Sequence, residues 1–234
     1  MKKSKQKLIR RASHRFVRGI LKIFIRKPKF VYLGEEIKDG SIVLSNHVGK
    51  TAPLKLECYL KKPFRFWGAH EMNEGFKALY KYQSEVFYHQ KQHWNLTKAR
   101  IFCCVAAPLT YMFYSGLNLI STYKDVRFRK TIDESVETLE KNQTVIIFPE
   151  DSSEGYLDEL KSFYSGFVVL ANTCYKKGMD LPIYVMYYRK KEKTFVVDKP
   201  ILYSELIKEG VDKDKIAEKL CNRANELKDI KINK

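Results

Sequence analysis

Apolar and polar positions change their spacing several times along the chain, and each change marks a predicted element. The short segment 41–45, apolar between two serines, and the apolar runs at 145–148, 183–188 and 195–197 are typical of strands. Residues 54–60, 128–143 and 163–175 are predicted to be helices, the second because Ile132, Val136 and Leu139 share one face. Strands that alternate with helices predict an α/β fold with a mixed, largely parallel sheet flanked by helices.

The two ends of the chain are predicted to be helical and charged. Apolar residues recur at i+4 steps between residues 3 and 26, and lysines and arginines fill the other face: the apolar set is Leu8, Ala12, Phe16, Ile20 and Phe24. This pattern predicts a basic amphipathic helix that stops near Pro28. Residues 204–228 predict one helix or a pair broken at Gly210. We therefore expect a docking helix at 1–30 and an α/β domain at 31–234.

Residues 101–123 contain no charged side chain, a stretch long enough to span a membrane. Pro108 and Gly116 argue against an uninterrupted span. The favoured interpretation is a buried or membrane-embedded helix that ends near Ser115 and is followed by a strand at 117–120. A true transmembrane helix is the alternative.

The positive charge is concentrated at the N-terminus. The chain has 44 Lys or Arg and 27 Asp or Glu residues, a net charge of +17, and twelve of the bases precede the first acid, Glu35. The remaining +5 does not indicate a nucleic-acid groove, which needs basic residues spread over a folded face with stacking aromatics. An anionic membrane surface is the predicted partner of the N-terminal helix. A solvated helix packed on the domain is the alternative.

Cysteine usage indicates a reducing compartment. The five cysteines form no C-x-x-C pair, and no histidine stands at metal-ligand spacing from them, so we expect no metal site. Charges at Arg15, Arg18, Lys22 and Arg26 interrupt any signal-peptide core. The predicted location is the cytoplasmic face of a membrane, with the protein peripheral or partly embedded.

Two polar clusters follow predicted strands. Asn46 and His47 stand where the strand at 41–45 ends, the position at which α/β sheets place reactive groups, and a histidine there can act as a general base. Gly49-Lys50-Thr51 is not a P-loop, because Leu44 occupies the position of that motif's first glycine. The second cluster brings carboxylates and hydroxyls to the end of the next strand, and its residues are Phe148, Pro149, Glu150, Asp151, Ser152 and Ser153.

In their order along the chain, these blocks resemble the lysophospholipid and glycerol-phosphate acyltransferase family, over roughly residues 34–202. That family has an Asn-His-x-Ser-x-x-Asp-Pro block, a strand with a Gly and then an Arg, a Phe-Pro-Glu-Gly-Thr-Arg-Ser block and a late apolar strand that begins with Pro. In this chain, the first block corresponds to residues 45–47 with Pro53, and the second to the strand from Gly116. The third block corresponds to residues 148–150, and the late apolar strand to residues 181–185.

The chain departs from the family pattern at its functional positions. Ala52 stands in place of the catalytic Asp and Gly49 in place of the Ser of the same block. Residues 151–154 replace Gly-Thr-Arg-Ser, and residues 121–123 stand where the family has its other Arg. The orienting carboxylate and both phosphate-binding arginines are therefore missing, so an acceptor without a phosphate fits better than one with it.

The resemblance implies acyl transfer from a thioester, acyl-CoA or acyl-carrier protein, to a hydroxyl or amine, with no further cofactor. It implies His47 as general base. Because the family's orienting carboxylate is missing, Glu57, Glu150 and Asp151 are our candidates to replace it, and Glu150 and Asp151 are our catalytic candidates. Asn46, Gly49, Phe148, Pro149, Ser152 and Ser153 are the predicted substrate-binding residues. The alternative function is a catalytically inactive relative that binds lipid or a partner, which Ala52 favours.

Overall fold

The computed structural model describes residues 2–49, 51–152, 155–208, 210 and 212–231. The chain forms two compact units. We call Met1–Arg26 with Phe66–Phe128 the helical unit, and Lys27–Arg65 with Arg129–Lys234 the α/β unit. This division differs from the expected boundary at residue 30, because the N-terminal helix clusters with a segment from the middle of the chain.

The described helices and strands in chain order are as follows. The helices are α1 (Lys2–Phe24), α2 (Thr51–Tyr59), α3 (Phe76–Lys81), α4 (Leu96–Leu117), α5 (Phe128–Glu140), α6 (Gly166–Lys176), α7 (Tyr203–Ile207) and α8 (Lys213–Asp229). The strands are β1 (Lys29–Tyr32), β2 (Ile42–Ser45), β3 (Phe64–Ala69), β4 (Ile120–Thr122), β5 (Thr144–Ile147), β6 (Pro182–Arg189), β7 (Thr194–Val197) and β8 (Ile201–Leu202).

The α/β unit contains a mixed, largely parallel sheet flanked by helices, as the sequence predicts. Its strands lie in the order β1-β7-β6-β2-β5, and β8 pairs with β6. The pairs β1 with β7, β2 with β5 and β2 with β6 are parallel, whereas β6 is antiparallel to β7 and β8. The predicted C-terminal helices form as the pair α7 and α8, with Gly210 between them in the left-handed region at φ 64°.

The sheet is buried because its central strands are mostly apolar. All four residues of β2, β5 and β7 are buried. The helices α5, α6 and α8 each bury one apolar face, as their periodicity predicts. The core therefore runs along the middle of the sheet, and the predicted polar clusters stand where its strands end.

The helical unit contains α1, α3, α4 and the parallel pair β3 and β4. A π-helix, Tyr82–Lys91, continues α3. Here the sequence-based prediction was wrong in detail: α4 does not end near Ser115 but passes Pro108 and Gly116 and ends at Leu117, and the strand begins at Ile120. Glycine is required at position 116, because a Cβ there would lie 2.1 Å from the Cβ of His14 of α1. Asn118, the residue after the helix, caps its C-terminus in a left-handed conformation.

By length and composition, α4 is able to cross a membrane, and 17% of its most apolar window is buried. Its exposed apolar residues Ile101, Val105, Leu109 and Met112 recur at steps of four, four and three, so they form one stripe. The predicted apolar face of α1 is likewise exposed at Phe16, Ile20 and Phe24. Among the described side chains of α1, it is His14 that is buried.

Candidate active site

The parallel register of β2 and β5 determines where the two polar clusters stand. Leu44 pairs with Ile147. His47 lies three residues beyond Leu44, and Glu150 lies three residues beyond Ile147. Since parallel strands end at the same edge of a sheet, His47 and Glu150 stand at neighbouring strand ends, as the sequence predicts. We call this end of the sheet the carboxyl edge.

Two aromatic rings hold the imidazole of His47. The ring of Phe148 meets it edge-on, with centroids 4.9 Å apart and planes at 70°. The ring of Tyr156 stacks on it, with centroids 4.8 Å apart and planes at 15°. The imidazole is half-buried in this arrangement. Stacked and edge-to-face pairs at such distances are attractive, so both contacts favour one orientation of the ring.

The turn after His47 is strained. Val48 has φ 46° and Gly49 has φ 61°, two consecutive residues in the left-handed region. A β-branched residue rarely adopts this conformation, and such outliers concentrate at functional sites. The Thr51 N–H donates to the Val48 carbonyl at 3.2 Å, and α2 begins there. The turn thus places the N-terminus of α2 directly after His47.

The segment that carries Tyr156 is fixed on both sides. The Gly155 N–H donates to the Ser152 carbonyl at 3.1 Å, and Gly155 has φ 96°. The Tyr187 hydroxyl donates to the Asp158 carbonyl. The side-chain amide of Asn225 in α8 makes two hydrogen bonds to the backbone of Leu160. It accepts from the Leu160 N–H at 2.8 Å and donates to the Leu160 carbonyl at 2.9 Å. These bonds tie the segment to β6 and α8 and so maintain the stack on His47.

The carboxylate cluster is part of a short antiparallel pairing. Glu150 bridges to Phe163, and the Tyr164 N–H donates to the Pro149 carbonyl at 2.8 Å. The Asp151 N–H donates to the Ser162 carbonyl at 3.0 Å, and its carboxylate accepts from the Tyr164 hydroxyl at 2.8 Å. Both catalytic candidates are therefore held by backbone pairing beyond the end of β5.

Glu150 is buried, with 7% of its surface exposed, and its charge affects neighbouring side chains. Burial, then the charges of Asp158 and Glu150, raise the pKa of Tyr187 to about 12. Burial and then the Glu150 carboxylate raise the pKa of the Cys221 thiol to about 11. Since like charge disfavours ionisation nearby, both groups stay protonated beside Glu150 at neutral pH.

Asn46 fixes the end of β2 against β6. Its side-chain amide donates to the Tyr188 carbonyl at 3.2 Å and accepts from the Tyr188 N–H at 2.6 Å. The side chain is fully buried, so these bonds position the residue before His47. Ala52, where the family has its Asp, is fully buried in the first turn of α2. Glu57 lies farther along the same helix and is 9% exposed.

The structure brings most of the predicted residues to the carboxyl edge. Tyr156 stacks on His47 and lies next to Gly49, where an added methyl group would stand 4.0 Å from its ring. Phe148 contacts the imidazole of His47 edge-on. Ser152 contributes its carbonyl to the turn before Gly155. Ser153 lies outside the described residues. Within the part of the chain that the structure describes, no group of three His, Cys, Asp or Glu residues is arranged to hold a metal ion.

Sequence reasoning missed Tyr156 and Tyr187. Neither belongs to a motif, and Tyr156 meets His47 only because a loop folds back over the sheet edge. The Gly before Tyr156 was the available signal, because a left-handed turn directly after a polar strand end returns the chain towards that end.

Comparison with known proteins adds one fold similarity. No protein-family model matches the chain, and no curated protein shows a significant match. The fold is similar to the crystal structure of the 1-acyl-sn-glycerophosphate (LPA) acyltransferase PlsC from Thermotoga maritima, with 13% sequence identity, a TM-score of 0.49 and coverage of 100% of this chain and 85% of that chain. At this identity and TM-score, the similarity says nothing about chemistry, which depends on the residues described above.

Proposed function

We propose that this protein is an acyltransferase that works at a membrane surface and uses His47 as its general base. The observation that carries the proposal is the matched position of His47 and Glu150, each three residues past a paired position of β2 and β5. A base and a carboxylate at one sheet edge, beside a Phe-Pro-Glu turn, are what the motif resemblance predicts for this chemistry.

In the proposed reaction, His47 takes the proton of an acceptor hydroxyl or amine. The acceptor oxygen or nitrogen attacks the thioester carbonyl of acyl-CoA or acyl-carrier protein, and the thiol leaves with a proton returned by the imidazolium. Phe148 and Tyr156 limit rotation of the imidazole during both transfers. The proposed oxyanion donor is the Ala52 N–H in the first turn of α2, because the Thr51 N–H donates to the Val48 carbonyl and Pro53 has no N–H.

The acceptor class follows from the charges at the end of β5. Asp151 stands where the resembled family places the residues that recognise phosphate, and Tyr164 holds its carboxylate there. A carboxylate repels a phosphomonoester, so the proposed acceptor is a lipid or other hydroxyl or amine without that group. Ser152 and Gly49 are the proposed small residues that leave room for it.

The membrane partner is supported by surfaces within the helical unit. The exposed stripe of α4 and the exposed residues Phe16, Ile20, Ile23 and Phe24 of α1 offer apolar side chains. Ten bases lie in residues 1–26 of the same unit, and this segment contains no acid. A segment rich in apolar residues and bases, with no acid in its sequence, is typical of segments that bind the interface of an anionic bilayer.

The test measures acyl product as well as thiol release. The purified full chain is supplied with a long-chain acyl thioester and, separately, a neutral lipid alcohol, an amine and a phosphomonoester lipid in mixed micelles. We expect acylated product with at least one of the first two, and little with the third. Product from the phosphomonoester lipid alone would contradict the acceptor class, whereas no product and no thiol release from any acceptor would favour the lipid-binding alternative to which Ala52 points.

A further inference from the structure

Five exposed lysines lie together in the α/β unit, and we call them the lysine rim: Lys27, Lys29, Lys190, Lys191 and Lys193. Three of them belong to the turn between β6 and β7, and the other two stand at the start of β1. The Lys29 N–H donates to the Lys193 carbonyl at 3.0 Å, so the two segments are in direct contact. The lysine rim is therefore one continuous surface.

The lysine rim lies at the carboxyl edge, the edge that carries His47. The strands β2 and β6 are parallel, with Ser45 beside Met186. The segment after β2 holds His47, and the segment after β6 holds three of the lysines. Asn46 connects the two segments through both its bonds to the Tyr188 backbone. The β6–β7 turn thus emerges on the same side of the sheet as the candidate base.

The lysine rim accounts for the net charge of the whole α/β unit. That unit contains 27 Lys or Arg and 23 Asp or Glu residues, a net charge of +4. Without the five lysines and Glu192, which lies between them in sequence, 22 bases balance 22 acids. The Glu192 carboxylate accepts a hydrogen bond from the Arg189 guanidinium at 3.2 Å. Arg189 therefore offsets part of the negative charge that Glu192 presents to the lysines beside it. The lysine rim thus concentrates five positive charges around one acid, and such a local concentration favours an anionic partner.

A buried lysine of α2 lies close enough to the lysine rim for the charge of Lys193 to act on it. Lys55 of α2 is buried, with its Nζ 5.8 Å from the centre of the Tyr188 ring. Burial and then the charge of Lys193 lower the pKa of Lys55. An anion bound at the lysine rim would relieve this repulsion.

We infer that the lysine rim binds the head groups of an anionic lipid bilayer, as a second contact besides the helical unit. The chain itself favours this partner, because α1 ends in the exposed residues Ile23 and Phe24 only three positions before Lys27. Apolar residues followed at once by bases on one segment are typical of an interfacial anchor. A nucleic acid is disfavoured because Phe195 and Tyr188, the aromatics next to the rim on β6 and β7, are buried and cannot stack with bases. This inference extends the proposed action at a membrane and does not depend on the identity of the acceptor.

The test compares two triple variants of the full chain, K190Q/K191Q/K193Q in the lysine rim and K213Q/K215Q/K219Q on the exposed face of α8. Each removes three positive charges from exposed positions. Co-sedimentation is measured with phosphatidylcholine vesicles that contain or lack phosphatidylglycerol, at low and high salt. We expect the rim variant to bind the anionic vesicles about tenfold more weakly and with less dependence on salt, and the α8 variant to stay within about twofold of the wild type.

Equal binding by the rim variant and the wild type would overturn the inference. So would a rim variant that binds vesicles normally but loses turnover with acyl-carrier protein and keeps it with acyl-CoA, since the lysines would then contact an acidic carrier. Thermal unfolding of all three proteins checks that the substitutions leave the fold intact. Thiol release from a soluble acyl thioester is measured alongside, so a failure of the proposed chemistry is seen separately from a failure of lipid binding.

Discussion

The imidazole of His47 and the phenol ring of Tyr156 lie face to face, with centroids 4.8 Å apart and planes at 15°. The two residues are 109 positions apart in sequence, and the stack exists because the segment after Gly155 is tied to β6 and α8. Ala52 stands where the motif has a carboxylate that would orient the imidazole. The orientation of the imidazole therefore depends more on its contacts with the aromatic rings. Tyr156 is accordingly a positioning residue for the proposed base.

Replacing Tyr156 tests this role. We expect Tyr156→Leu to lower thioester turnover by about two- to tenfold, since an aromatic pair contributes roughly 0.5–1.5 kcal/mol beyond its buried area. Tyr156→Phe keeps the ring and should retain near-normal turnover. In NMR spectra, the His47 ring protons should move downfield in the Leu variant because the ring current of Tyr156 is lost. Unchanged His47 resonances in the Leu variant would refute the stack.

Gly116 permits the contact between α1 and α4. A Cβ on Gly116 would stand 2.1 Å from the Cβ of His14, whose Nδ1 lies 2.8 Å from the Phe113 carbonyl. Gly116→Ala should therefore reduce the free energy of unfolding by about 1–3 kcal/mol, the usual range for overpacking. Gly19→Ala on α1 is the matched control, because its Cβ meets nothing within 4 Å. It should raise helix stability by up to ~1 kcal/mol. Thermal and urea unfolding measure both, and equal effects of the two substitutions would contradict the close approach.

The ionisation of Tyr187 is expected to lower the free energy of unfolding at alkaline pH. Its pKa is raised to about 12 by burial and nearby carboxylates, so the folded state holds this proton more tightly than the unfolded state does. The stabilisation is complete below pH 10, the ordinary tyrosine value, and is lost as the pH rises towards 12.

Tyr187→Phe should remove this alkaline loss and also cost about 1 kcal/mol at neutral pH through the hydrogen bond to the Asp158 carbonyl. Tyr184→Phe is the control on the same strand, because its hydroxyl donates to the Glu36 carbonyl away from the candidate site. Urea unfolding at neutral and alkaline pH measures the stability, and thioester turnover should fall only in the Tyr187 variant. Equal loss of turnover in both variants would argue against a role of Tyr187 in fixing the Tyr156 segment.

The exposed end of α1 tests membrane docking better than deletion of the helix does, because α1 packs on α4 through His14 and its removal would expose α4 as well. Ile23 and Phe24 are 78% and 79% exposed. Replacing both with Gln should weaken vesicle binding about tenfold or more, since each buried apolar side chain contributes roughly 1.5–3 kcal/mol. The control variant replaces Tyr175 and Leu202, two exposed apolar residues of the α/β unit, with Gln. Similar losses in both pairs would mean that α1 has no special role.

The strands that form the site could be predicted from the sequence because β2, β5, β6 and β7 are apolar runs with clear ends. The strand β3 was missed because Arg65 and Gly68 interrupt its apolar pattern, and β1 because it is short and carries Lys29. Local propensity also failed at Pro108 and Gly116, which signal the end of a helix but lie inside α4. The stack of Tyr156 on His47 depends on a loop that returns to the sheet edge, and periodicity contains no information on such a contact.

The most direct test of the central claim is thiol release from a long-chain acyl thioester by the full chain and by two histidine variants. His47→Ala removes the proposed base, and His93→Ala removes an exposed histidine of the helical unit. We expect His47→Ala to lower turnover by about 10²–10⁴-fold, the usual contribution of a general base, and His93→Ala to leave it unchanged. Turnover that survives His47→Ala undiminished, in a variant that unfolds at the same temperature as the wild type, would contradict the assignment of His47 as the base.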